Sequence, residues 1–171
     1  MPRFLPDRFA VECVREFERA ADERHADATR LADAGRRTGA IYLYGYVVEV
    51  LLKAAFLRLA GHADDEPISI GVLWGYVGQK PTSMARSFGL PGAKNLHDLV
   101  AWAELLVAYR ASRPALVYPD SWFGKVLARN VLVVSQRWTE GLRYHKNVAY
   151  EHELVAVRTA CKWLFDRRTE L

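Results

Sequence analysis

Three groups of residues have the types and spacing to do chemistry. The first is in the second half of the chain: Asn130, Arg137, Arg143, Tyr144, His145 and Lys146. Asn130, Arg137 and Tyr144 are seven apart, so on one continuous helix they form a stripe. With Arg143, His145 and Lys146 at its end, that stripe reads as a phosphate-contacting groove. The plainer reading has Arg137 packing on Trp138 and pairing with Glu49 inside the protein. The second group is Glu49 and Lys53, four apart with the acid first, the favourable order for a helical ion pair. It could bind polar groups of a ligand, or simply hold its helix in register. The third is His97, at a helix start, where it could act as acid or base, or donate to a backbone carbonyl or face water.

Other chemistries are poorly supported. His145, Glu151, His152 and Glu153 invite a metal reading, but no standard zinc spacing is present, so neither metal nor cofactor is expected. No nucleophile triad, glycine-rich phosphate loop or pair of catalytic carboxylates occurs. The glycines of Gly71 to Gly92 fit no phosphate-loop template. Cys13 and Cys161 read as inert core residues.

The elements that must position these groups are helical. Thr38 to Gly61 is the longest apolar periodic stretch. Leu43, Tyr44, Val47, Val48, Leu51, Ala54 and Ala55 share one face. Tyr42, Gly45, Tyr46, Glu49, Lys53 and Phe56 form the other, so the helix is expected to be buried on several sides. Thr38 is its expected cap, Gly61 its left-handed stop, and Gly45 marks close approach by another backbone. An earlier helix opens at Pro6-Asp7 and buries Cys13, Phe17, Ala20, Ala21, Ala28 and Leu31. His62 to Lys94 is rich in glycine and proline and reads as a long loop holding a short helix. A third main helix starts at Asn95, as cap, and buries Leu99, Trp102, Leu106 and Tyr109 before Arg113-Pro114. A fourth starts after Pro119-Asp120 and runs from about Ser121 to Tyr144, burying Phe123, Leu127, Val131, Val134, Trp138 and Leu142. A fifth runs from about Val148 to Arg168 and buries Leu154, Val157, Cys161, Leu164 and Phe165. Its second face, Ala156, Ala160 and Trp163, calls for another helix, either the first helix or a second subunit.

The fold class is therefore all-α: an up-and-down bundle of four to five helices in one domain spanning residues 1–171, with a long loop or short helix between the second and third main helices. Hydrophobic residues are 51% and charged residues 26% of the chain, which is globular composition. The net charge of +4 permits a phosphate-rich partner without requiring one. Two cysteines and no signal-peptide pattern lead to an expected cytoplasmic location. Glu49 and Lys53 interrupt the longest apolar run, so no membrane span is expected.

The run Tyr42-Leu43-Tyr44-Gly45-Tyr46-Val47-Val48-Glu49-Val50-Leu51-Leu52-Lys53-Ala54 resembles the second helix of HEPN-like domains, helical domains of higher eukaryotes and prokaryotes. Leu96-His97-Asp98-Leu99 resembles the start of their third helix. Arg137 to Tyr144 is similar to the end of the fourth helix in uncharacterised bacterial branches. Together the likeness covers roughly Thr38 to Arg168. It implies a bundle that often dimerises. Many such domains are metal-independent ribonucleases whose signature is an arginine followed, after four to six residues, by a histidine. That signature is missing here: Arg129-Asn130 is followed by no histidine in range, and seven residues separate Arg137 from His145. Arg19 and His25 match only by letter. The resemblance thus implies a homodimeric module binding a nucleotide, RNA or protein, with a nucleotidyltransferase-type protein among its partners and a bacterial defence or toxin–antitoxin setting. The alternative is a divergent metal-independent endoribonuclease toxin, with Arg137 or Arg143 on phosphate and His145 moving the proton.

Overall fold

A computed structural model describes residues 12–116 and 122–171. The expected helix start at Pro6-Asp7, and the Pro119-Asp120-Ser121 start signal, lie outside the described residues. Among the described residues seven α-helices follow in order: α1 (Val14–Asp33), α2 (Arg37–Leu59), α3 (Ile70–Val77), α4 (Met84–Ser87), α5 (Leu99–Ala111), α6 (Phe123–Ser135) and α7 (Glu151–Asp166). Two 3-10 segments, Pro114–Leu116 and Glu140–Tyr144, join them, and no strand occurs among the described residues. The class is all-α, with α1, α2, α5, α6 and α7 as the main helices and α2 at their centre.

α1 and α2 form a hairpin across Ala34, Gly35 and Arg36. Gly35 has φ +70°, a left-handed conformation that a side chain would strain. The Arg36 N–H then reaches back to the Leu31 carbonyl at 2.8 Å and closes the end of α1. α2 packs most extensively on α1, then on α7 and α5, while α6 lies against α5 and α7.

α2 is buried almost all round, from Ala40 to Leu57. Phe56, on the face opposite the expected core face, is as buried as Tyr44. Its ring meets Tyr76 at 5.0 Å, Tyr109 at 5.4 Å and Trp102 at 5.9 Å, knitting α2 to α3 and α5. α2 is long and apolar enough to cross a membrane despite Glu49 and Lys53, so those two charges do not rule a span out by composition. In this fold 83% of that apolar window is buried inside the protein.

Several helix ends differ from expectation. Thr38 does not cap its own helix. Its hydroxyl accepts from the backbone N–H groups of Val148 (2.8 Å) and Ala149 (2.9 Å), just ahead of α7. Asn147 accepts from the Thr38 N–H at 3.0 Å and donates to the Gly35 carbonyl at 3.0 Å. Arg37 Nε donates to the Ala149 carbonyl at 2.8 Å. The start of α2 is thus clasped by the segment before α7, which supplies the Thr38 N–H with an acceptor. Gly61, at φ +95°, does end α2 in the left-handed region. α5 is capped by Asp98, whose carboxylate accepts from the Ala101 N–H at 3.1 Å. Asn95 instead folds back on the His97 N–H at 2.9 Å.

The largest departure is at α6. It ends at Ser135, not Tyr144. Trp138 is still buried, but outside the helix: its indole lies on Gly45, where any Cβ would overlap the ring. Trp138 Nε1 donates to the Tyr42 carbonyl at 2.9 Å. Gly45 therefore admits a side chain, not the backbone that the sequence reading expected. The second face of α7 meets α6: Trp163 lies 5.2 Å from Phe123 between ring centroids, and Ala160 is buried.

Candidate functional site

One stripe of α2 carries Tyr42, Tyr46, Glu49 and Lys53, successive positions on one side of a helix. Glu49 is 2% exposed and Lys53 6%. A buried charge is tolerable only when paired and hydrogen-bonded. Lys53 Nζ donates to Glu49 Oε1 at 2.5 Å, and it also lies 5.9 Å from the centre of the Trp102 ring, a cation–π approach. His97 Nδ1 lies 3.0 Å from each Glu49 oxygen. The central pair is therefore closed by His97, from the turn before α5.

Arg137 does not pair with Glu49. Its guanidinium donates to the Val133 carbonyl at 3.0 Å, satisfying an exposed end of α6, and it borders a cavity of about 230 Å³ with Thr38, Tyr150 and Glu153. α2 meets the 3-10 segment Glu140–Tyr144 more than it meets α6 itself.

The arrangement gives His97 a defined chemistry. Glu49 fixes the imidazole through Nδ1 and leaves the ring 43% exposed. The hydrogen bond to Glu49 raises the His97 pKa above its ordinary value, against the opposing pull of burial. Tyr46, further along the same stripe, has its pKa raised by burial first and by the Glu49 charge second. A carboxylate that orients a histidine can serve acid–base work or hold a cation on a surface.

Arg143, Tyr144, His145 and Lys146 are exposed together just after Trp138 anchors the chain. The Arg143 guanidinium sits 4.8 Å from the centre of the Tyr144 ring. Tyr144 and Tyr42 raise its pKa above the ordinary value. Tyr144 is 78% exposed. Tyr150 and His152 stack 5.7 Å apart with their planes at 11°.

The structure breaks the expected stripe. Asn130 lies within α6, donating to the Val126 carbonyl at 3.0 Å beside a groove against α7. Arg137 sits in the turn after α6, and Tyr144 lies beyond an extended residue, Thr139, so the three share no helix face. Arg137 and His145 share no hydrogen bond, and His145 does not border the cavity that Arg137 faces. Glu153 accepts from the Tyr150 N–H at 2.8 Å as a cap for α7. No group of three or more His, Cys, Asp or Glu placed to hold a metal occurs among the described residues. Cys161 is buried, and burial raises its thiol pKa.

Sequence reasoning did not anticipate the His97–Glu49 contact or the role of Tyr150 and His152. The former joins residues 48 apart, and no local spacing announces it. The latter was legible as an exposed aromatic and imidazole at a helix start. No family model matches the chain, and neither a curated protein nor a solved structure matches it.

Proposed function

We propose that this chain is a non-catalytic, HEPN-like helical module that binds single-stranded RNA through the exposed Arg143–Lys146 segment. One observation carries the reading: a guanidinium 4.8 Å from the centre of a tyrosine ring that is itself 78% exposed, with His145 and Lys146 next in the chain. Nucleic-acid phosphates need fixed positive charge, and single-stranded bases need an open aromatic face. The separation of Arg137 from His145 supports binding over cleavage.

Fluorescence anisotropy with a labelled single-stranded RNA tests this. The wild-type chain binds, and Arg143→Ala with Tyr144→Ala weakens binding by about 10- to 100-fold. Equal affinity in the double variant would refute the reading.

A specific observation also favours a second copy of the chain as partner. Val148 (54%), Tyr150 (67%) and Val155 (53%) are exposed apolar side chains near the start of α7. A twofold interface would place this edge against itself. Light scattering after size exclusion tests it: a dimer that Val155→Glu converts to monomer supports the reading, and a monomer at all concentrations rejects it.

A further inference from the structure

From Pro67 to His97 the chain contains no aspartate or glutamate, so all 20 of its acidic residues lie elsewhere. The same stretch carries Lys80, Arg86 and Lys94. It folds into α3, α4 and their connections, and it encloses a cleft of about 680 Å³. Ligand clefts of this size combine apolar walls with a few convergent polar groups.

The walls of the cleft have a specific chemistry. Gly71 and Gly75, one turn apart on α3, present bare backbone to it, and a Cβ added at Gly75 would meet nothing within 4 Å. Trp74, 37% exposed, borders it as well. The only charged side chains that border it are Lys80 and Lys94, and neither makes an ion pair among the described residues. Thr82 adds a hydroxyl. The third cation, Arg86, is turned to its own backbone and donates to the Leu90 carbonyl at 3.2 Å. The rim is held in shape by tight backbone contact. Gly92, at φ +73°, lies so close to Gly78 that a Cβ would overlap its carbonyl, and the buried Ser83 hydroxyl donates to that same carbonyl at 2.5 Å.

We infer that this cleft binds a small phosphate-bearing molecule with a planar ring, of the nucleoside phosphate kind. Two unpaired lysines supply point charges for a phosphate group. The tryptophan beside a side-chain-free helix surface supplies room and an aromatic wall for a flat ring. The absence of carboxylates removes the repulsion an anion would otherwise meet. The site is separate from the Arg143–Lys146 surface, so the two stand or fall independently.

Isothermal titration calorimetry of the full chain tests the inference, with ADP, inorganic pyrophosphate and adenosine as probes. ADP is expected to bind one per chain, and more tightly than either fragment. Lys80→Ala with Lys94→Ala weakens ADP binding by about 100-fold, one factor of ten per lost charge-assisted contact. Gly75→Leu, which projects into open space and so leaves the fold intact, blocks binding. Arg143→Ala leaves it unchanged. The inference is overturned if ADP gives no binding heat at millimolar concentration. It is equally overturned if ADP binds the double lysine variant as it binds wild type, or if Arg143→Ala alone abolishes binding.

Discussion

Replacing Gly45 with alanine tests how the basic segment is held in place. By helix propensity alone the change should stabilise α2 by about 1 kcal/mol. The contact predicts the opposite. The new Cβ would overlap Cδ1, Cγ and Nε1 of Trp138, atoms of a rigid ring that is only 7% exposed. The ring must leave its seat. A buried tryptophan hides roughly 150–250 Å², worth about 4–6 kcal/mol at 25 cal/mol per Å² if wholly lost. The hydrogen bond from Nε1 to the Tyr42 carbonyl is lost with it, adding about 1 kcal/mol. Partial repacking recovers some of this, so the net destabilisation should be about 2–4 kcal/mol. Equilibrium urea unfolding followed by circular dichroism measures it. Trp138→Ala alone should be destabilising. Adding Gly45→Ala to it should then be far milder than Gly45→Ala in the wild type, a coupling of at least about 1 kcal/mol. A midpoint that rises in Gly45→Ala, or additive effects in the double variant, would refute the reasoning.

Other outcomes follow from the buried polar contacts. Lys53→Met leaves the Glu49 carboxylate buried with one partner fewer and should destabilise the fold by about 3–5 kcal/mol in urea unfolding. Asn147→Ala removes the link between Gly35 and Thr38 and should lower stability by about 1–3 kcal/mol, read the same way. The His97 pKa is raised by Glu49, so folded protein binds its proton more tightly than unfolded chain. Its contribution to stability is complete below about pH 6.5 and is lost as pH rises through the folded pKa. His25, stacked on Phe165, has its pKa lowered by burial first and by Lys162 second, so it penalises folding as pH falls below about 6.5. Stability profiles against pH should lose their alkaline-side decline in His97→Gln and part of their acid-side decline in His25→Gln.

The helical period carried the fold into view. Leu99, Trp102, Leu106 and Tyr109, and likewise Leu154, Val157, Cys161 and Leu164, are buried as their spacing requires. The burial of α2 on several sides was legible in its tyrosines, Gly45 and the enclosed Glu49–Lys53 pair. The ends were less legible, because tertiary contacts decide them. Trp138 and Leu142 keep the period of α6, so the pattern runs on although the helix stops. What ends it is the seat for an indole on Gly45, a residue in another helix. Thr38 looks like a cap by type, but its hydroxyl is taken by amides 110 and 111 residues away. The same physics misdirected the site. Arg137 and Glu49 looked complementary by charge, yet His97 reaches Glu49 first because the turn before α5 passes over the middle of α2. The short helices α3 and α4 were only partly foreseen: periodicity is weak over so few turns, and Ser69 and Ser83 cap them with ordinary side chains.

In the proposed complex Arg143 and Lys146 meet phosphates. The salt dependence of RNA affinity reads this directly, since each phosphate contact on a single strand contributes a slope of about −0.7 in log affinity against log salt. The wild-type chain should show a slope of about −1.4 or steeper, made shallower by about 0.7 in Arg143→Ala. Affinity indifferent to salt, or the same slope in both proteins, would contradict it.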